Sequence, residues 1–201
     1  MLKGKCRFCH KKIGMAEILT EMLAGTMFLM LSTTINIETA TVLEWAGFVT
    51  MLIFSLILFF LGIYDGLYGE LPTSILILSV ASAVITLIPR MWTGFSVDPF
   101  LSGLLFGGIY LVLYLISKGK WVGDGDWILA LSIGLALGSP WLSMVALFVA
   151  NFSACLIMLP LIRKLKNHQI YFGPFLVFSF VIVYTMSDLL LSVITVTTGA
   201  F

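Results

Sequence analysis

The chain has 201 residues, of which 60% are hydrophobic and 10% charged, and its formal net charge is +1. A soluble globular domain holds about 45–50% apolar and about 25% charged residues, so this composition excludes one and implies an all-α, polytopic integral membrane protein. A nucleic-acid partner is excluded as well, because it would demand a basic stripe that the sequence lacks.

Residues 1–14 carry five cations, Lys3, Lys5, Arg7, Lys11 and Lys12, around Cys6 and Cys9. The apolar run that follows has no small-residue cleavage site, which predicts an uncleaved first span rather than a signal peptide. Three cysteines form an odd set and two of them sit in the lysine-rich start, so no structural disulfide is expected. The chain divides into this short cytoplasmic Cys-x-x-Cys region, 1–14, and a transmembrane region, 15–201.

Crossing roughly 30 Å of hydrocarbon takes about 20 apolar residues in a helix. Runs of that order fall at 15–31, 42–64, 71–88, 99–116, 140–162 and 172–198, with a shorter one at 127–137; together they predict about seven spans. With the N-terminus inside, Lys118, Lys120, Arg163, Lys164 and Lys166 join the N-terminal cations on one side, and the outer loops hold only Arg90. That asymmetry is the positive-inside signal.

Two lone aspartates stand at the ends of apolar runs. Asp65 ends the second, in Ile63-Tyr64-Asp65-Gly66, and Asp126 opens the fifth, in Val122-Gly123-Asp124-Gly125-Asp126-Trp127. On insertion scales a carboxylate at the centre of a spanning helix costs roughly 2.5–3.5 kcal/mol, so intramembrane acids mark function. The orientation read from the cations puts both on the cytoplasmic side, where they are able to share one site. The fifth run is short: 12 steps of about 1.5 Å span roughly 18 Å, less than the hydrocarbon. Either Asp126 lies in a recess below the inner surface or the bilayer thins there; the alternative is that 127–162 forms one bent hairpin with no recess.

Paired carboxylates hydrolyse a peptide when one is protonated, the other is ionised and a water lies between them. Like charges so close cannot both ionise, and the titration belongs to the pair. Gly123 and Gly125 remove side chains around Asp126, allowing a substrate backbone to approach and the chain to turn sharply. The plainer reading of these aspartates is helix capping.

Gly123-Asp124-Gly125-Asp126 resembles the GxGD motif of type IV prepilin peptidases, and Asp65 stands seven residues before Pro72, as in their other signature. Gly4-Lys5-Cys6-Arg7-Phe8-Cys9, Ala16-Glu17-Ile18-Leu19-Thr20 and Phe172-Gly173-Pro174-Phe175 fit the same family in the same order. The resemblance implies that Asp65 and Asp126 are the catalytic pair, that Asp124 fills the variable position, and that Gly123, Gly125, Tyr64, Glu17 and Pro72 bind substrate or shape the site. It implies as partners a prepilin or pseudopilin, cut at the cytoplasmic face of a bacterial inner membrane between a leader ending in glycine and an apolar helix that usually starts with phenylalanine. Membrane lipid is the other partner, and the oligomeric state is not specified.

The chain departs from the family in two places. Many members carry a lysine where this chain has Ile128. Full-length members also have a further span and a cytoplasmic domain with two Cys-x-x-Cys pairs, whereas Cys6 and Cys9 supply half of a four-ligand zinc site. The expectation is a short form that needs no cofactor for cleavage and holds no zinc. Methylation of the new amino terminus from S-adenosylmethionine goes with the missing domain and is not expected.

Other residues carry weaker signals. Glu17 and Glu21, four apart, share a face of the first helix and either line the site or are solvated at the interface. Asp188 lies well inside the last run, either near the outer interface or hydrogen-bonded to a neighbouring helix. Gly103 with Gly107 and Gly134 with Gly138 have the spacing of close helix packing. Cys155 reads as a small core residue. Competing functions are a presenilin-like GxGD protease, which shares Tyr64-Asp65 but would show a Pro-Ala-Leu motif absent here, and a proton-coupled transporter with Asp65, Asp126 and Asp188 as a relay.

Overall fold

Glycine, proline and capping side chains divide the described apolar sequence into eight helices. A computed structural model describes residues 14–162 and 171–198, and among these there is no strand. The helices are α1 (Met15–Ser32), α2 (Val42–Tyr68), α3 (Thr73–Thr93), α4 (Asp98–Ser117), α5 (Asp126–Leu137), α6 (Pro140–Ile162), α7 (Gly173–Thr185) and α8 (Ser187–Thr198). The Cys-x-x-Cys pair and the basic stretch from Arg163 to Lys166 lie outside the described residues.

The boundaries follow from local chemistry. A capping box opens α2: Thr41 Oγ1 accepts from the Glu44 N–H at 3.3 Å while the Glu44 carboxylate accepts from the Thr41 N–H at 2.6 Å. Gly69, left-handed at φ 70°, closes it by donating to the Asp65 carbonyl at 2.8 Å. Pro72, Pro99, Pro140 and Pro174 stand at helix starts, where a missing N–H costs nothing. Gly138, at φ 73°, ends α5 and separates it from α6.

Three expectations need correction. The last apolar run is not one rod: α7 and α8 meet at a bend of 68°. The Thr185 hydroxyl donates to the Val181 and Ile182 carbonyls at 2.8 and 3.0 Å in the last turn before the bend. Ser187 and Asp188 then supply an acidic first turn to a new helix, and Asp188 is exposed there. Arg90 belongs to the last turn of α3 and not to a loop. It is half-buried and donates to the Ala136 carbonyl at 2.9 Å, meeting the negative end of α5. Cys155 is exposed rather than in the core.

Four described helices, α2, α3, α4 and α6, are long and apolar enough to cross a membrane, or five if the bent α7–α8 pair counts as one span. Only about a third of each of the four is buried inside the protein, and Leu56, Ile77, Leu104 and Phe148 are among the large apolar side chains on the outside. Such a surface suits hydrocarbon and not water. The short helix α5 is the reverse. Nine of its 12 residues are buried, and it packs against α3, α4, α6 and α7.

Missing side chains allow that central position. A Cβ at Gly103 would meet Leu135 Cγ at 2.8 Å, and one at Gly134 would meet the Ser102 carbonyl oxygen at 2.6 Å and Gly103 Cα at 2.8 Å. α4 and α5 therefore touch backbone to backbone, as the small-residue spacing predicts. Gly138 terminates α5, and a Cβ there would run into the Arg90 guanidinium of α3 and lie 3.9 Å from Pro99 Cγ of α4. Ser102 seals the seam, its hydroxyl 2.6 Å from the Gly134 carbonyl oxygen and 2.6 Å from Ser143 Oγ.

Candidate active site

Asp65 stands one turn inside the C-terminus of α2, which runs on to Tyr68, and its side chain is buried. Gly62 and Gly66 lie on the same helix face. A Cβ at those positions would sit 3.0 Å from Val177 Cγ2 and 3.4 Å from Pro174 Cγ, so the start of α7 rests directly on α2. That contact aims the Gly173 N–H at Asp65 Oδ2, at 2.8 Å. The first amides of a helix have no partner within it and carry the positive end of the dipole, so α7 holds the carboxylate with a donor that is already in place.

Asp126 is the first residue of α5 and is also buried. Its carboxylate does not cap its own helix. It turns back and accepts from the Gly123 N–H at 2.8 Å. A Cβ at Gly123 would lie 3.2 Å from that same oxygen, and glycine there leaves the carboxylate its room. Each aspartate is thus fixed by one backbone amide, from a different part of the chain.

The two acids line one cavity of about 960 Å³. Its walls come from the α2–α3 connection, the α4–α5 loop and the segment before α7, through Leu71, Leu76, Trp121, Ile128, Tyr171 and Phe172 among others. Asp124 is exposed at the rim. Glu70, Thr73 and Lys120 add polar groups to the same lining, so the recess is of mixed character around the two carboxylates.

Of the other residues expected at the site, some fall elsewhere. Gly125 lines the cavity but leaves no space for a substrate backbone. A Cβ there would meet Leu71 Cβ at 2.7 Å and Leu76 Cδ1 at 2.9 Å, so glycine serves the packing of the loop against α3. Its φ of −83° is also ordinary, and no sharp turn depends on it. Tyr64 is half-buried and stacks along α2 with Phe60 and Tyr68, at 5.9 and 4.6 Å between ring centres. Pro72 does not line the cavity; its carbonyl accepts from Ile75 and Leu76 N–H groups and starts α3. Glu17 and Glu21 are exposed on α1 and do not line the cavity. Asp188 is separated from Gly173 by the length of α7, roughly 18 Å at 1.5 Å per residue, and does not join the pair.

Sequence reasoning assigned no role to Gly173, although a glycine before a proline at the start of an apolar run signals a tight helix entry. Tyr171 also escaped notice. Its ring covers Gly69, where any Cβ would collide with it. Among the described residues no group of three His, Cys, Asp or Glu side chains is placed to hold a metal. Compared with family models, curated proteins and solved structures, the chain finds no match.

Proposed function

We propose that the protein is a membrane aspartic endopeptidase that removes the leader of type IV prepilins or pseudopilins after glycine, at the cytoplasmic face of a bacterial inner membrane. One observation carries the reading: two buried carboxylates, from α2 and α5, line a single cavity and are each held by a backbone amide. The spacing of the GxGD and Asp-to-Pro signatures adds the substrate class. Seven crossings fit this reading, with α1 first, α5 as the short inner rod and the bent α7–α8 pair as the last. The excess of Lys and Arg on one side of such a topology supports an N-terminus and a cavity on the inner side.

In the reaction, the ionised carboxylate takes a proton from water as the water oxygen attacks the scissile carbonyl. The protonated carboxyl donates a hydrogen bond to the carbonyl oxygen. As the tetrahedral intermediate collapses and the C–N bond breaks, that carboxyl gives its proton to the leaving amine. The products are the leader acid and a new amino terminus, and the two aspartates have exchanged protonation states. Both acids lie at helix ends and not in mid-helix, which supports cleavage at the membrane edge over cleavage within a substrate's transmembrane helix. The apolar wall of Leu71, Leu76 and Ile128 suits the hydrophobic residue that begins the mature pilin.

The test is cleavage of a prepilin peptide by purified protein. Asp65→Asn and Asp126→Asn should each abolish it without loss of folding, Asp124→Asn should retain much of it, and replacing the last leader glycine should stop it. A dead Asp124→Asn beside an active Asp126→Asn would overturn the assignment of the pair.

A further inference from the structure

A second cavity, of about 210 Å³, opens at the other end of the bundle from the paired acids. Its lining includes Glu44, in the first turn of α2, and Arg90, in the last turn of α3. The aspartate cavity is lined by the opposite ends of the same two helices, through Asp65 and Leu76. At about 1.5 Å per residue, Glu44 and Asp65 are separated by roughly 31 Å along α2, close to the thickness of a hydrocarbon core. Three tryptophans mark the depth of this second cavity: Trp45 on α2, Trp92 on α3 and Trp141 on α6 stand in terminal turns at the same end, and all three are exposed. Tryptophan collects at the level of lipid headgroups.

The lining offers both signs of charge. Arg90 is a cation anchored by its bond to the Ala136 carbonyl at 2.9 Å. The Glu44 carboxylate accepts from the amide and the hydroxyl of Thr41, at 2.6 and 2.9 Å, two neutral donors that fix its position and leave its charge. The neutral groups of the lining divide in the same way. The Thr34 and Thr86 hydroxyls donate to the Leu31 and Ala83 carbonyls, so each presents its oxygen lone pairs as an acceptor. Asn36 accepts from the Glu38 N–H through Oδ1 at 3.3 Å, which leaves its NH₂ group to donate. A ligand of a single charge would meet a like charge on one wall. A ligand that carries both an anionic and an ammonium group meets a partner for each.

The geometry points to this cavity as a binding site for a phosphate ester bearing a primary ammonium group, the headgroup chemistry of a phosphoethanolamine lipid in the leaflet opposite the paired acids. Arg90 and Asn36 donate to the phosphate oxygens. Glu44 and the threonine hydroxyls accept from the ammonium N–H groups. The assignment rests on the membrane-spanning reading of the helices and is independent of the peptidase reading.

The test is lipid retention by the purified protein in native mass spectrometry, with dioleoyl phosphatidylethanolamine, phosphatidylcholine and phosphatidylglycerol offered in turn. Phosphatidylcholine keeps the phosphate and the positive charge but has no N–H to donate, and phosphatidylglycerol keeps the phosphate without a cation. The ethanolamine lipid should be retained about tenfold more strongly than either, the size of effect expected for one hydrogen bond to a charged group. Arg90→Gln should weaken retention of all three lipids, but it also removes the bond to Ala136. Glu44→Gln is therefore the decisive variant, because glutamine serves equally in a capping box and only the charge is lost; it should retain the ethanolamine and choline lipids alike. Calorimetry with soluble phosphoethanolamine separates the sources: binding there that depends on Glu44, without retention of the lipid, keeps the chemistry and assigns a soluble ligand. Retention of neither form, equal retention of the three lipids by the wild type, or an ethanolamine preference that survives Glu44→Gln would overturn the proposal. None of these readings depends on whether the protein cuts a prepilin.

Discussion

Replacing Gly173 by alanine perturbs the site while leaving both aspartates in the chain. Gly173 is not among the residues with positive φ, so alanine imposes no backbone strain there. Its Cβ, however, would lie 2.7 Å from Asp65 Oδ2, 3.0 Å from Asp65 Cβ and 3.1 Å from Asp65 Cγ. Carbon contacts are comfortable at about 3.5–4.0 Å, so the carboxylate or the start of α7 must shift by roughly half an ångström or more. Either shift stretches the 2.8 Å bond from the Gly173 amide. Losing a hydrogen bond to a charged group costs about 1.5–3 kcal/mol, and each 1.4 kcal/mol or so is tenfold in rate. A misplacement of about 1 Å in a reacting group costs on the order of 100-fold by itself. The expected result is a fall of about 100-fold in kcat on a prepilin peptide, followed by mass spectrometry of the released leader. Two controls share the chemistry but not the clash. Gly66→Ala would place its Cβ 3.4 Å from Pro174 Cγ, and Gly108→Ala would meet nothing within 4 Å; both should cleave at close to the wild-type rate. The reasoning is refuted if Gly173→Ala is as active as these controls.

Two further outcomes follow from the packing and from the ligand inventory. Gly134→Ala would press a methyl group against the Ser102 carbonyl oxygen and Gly103 Cα, and overpacking of this kind costs about 1–3 kcal/mol; its Tm in detergent should drop, and an unchanged Tm would show that α4 and α5 can part without cost. Cleavage should survive treatment with EDTA, because Cys6 and Cys9 provide only two of the four ligands that a closed zinc site needs. Activity lost to the chelator and restored by zinc would count against a cofactor-free pair.

Composition and hydrophobic patterning alone determined that the chain is helical and apolar on its outside, where most boundaries lie, and that Asp65 and Asp126 are the acids to watch. These properties are local. A run of apolar residues, a capping Thr41 or a proline at a helix start acts within a few positions of itself, and the sequence displays it directly. The break at Met186 was less legible, because it falls inside an apolar stretch that hydropathy reads as continuous. Tertiary structure decided what sequence spacing cannot encode. It brought Gly173, 108 residues from Asp65, to that carboxylate. It also assigned Gly125 to packing against Leu71 and left Glu17 on the surface. Both kinds of result trace to one cause: a helix end offers unpaired amides whatever the sequence, but which carboxylate receives them depends on how closely glycine faces let the helices approach.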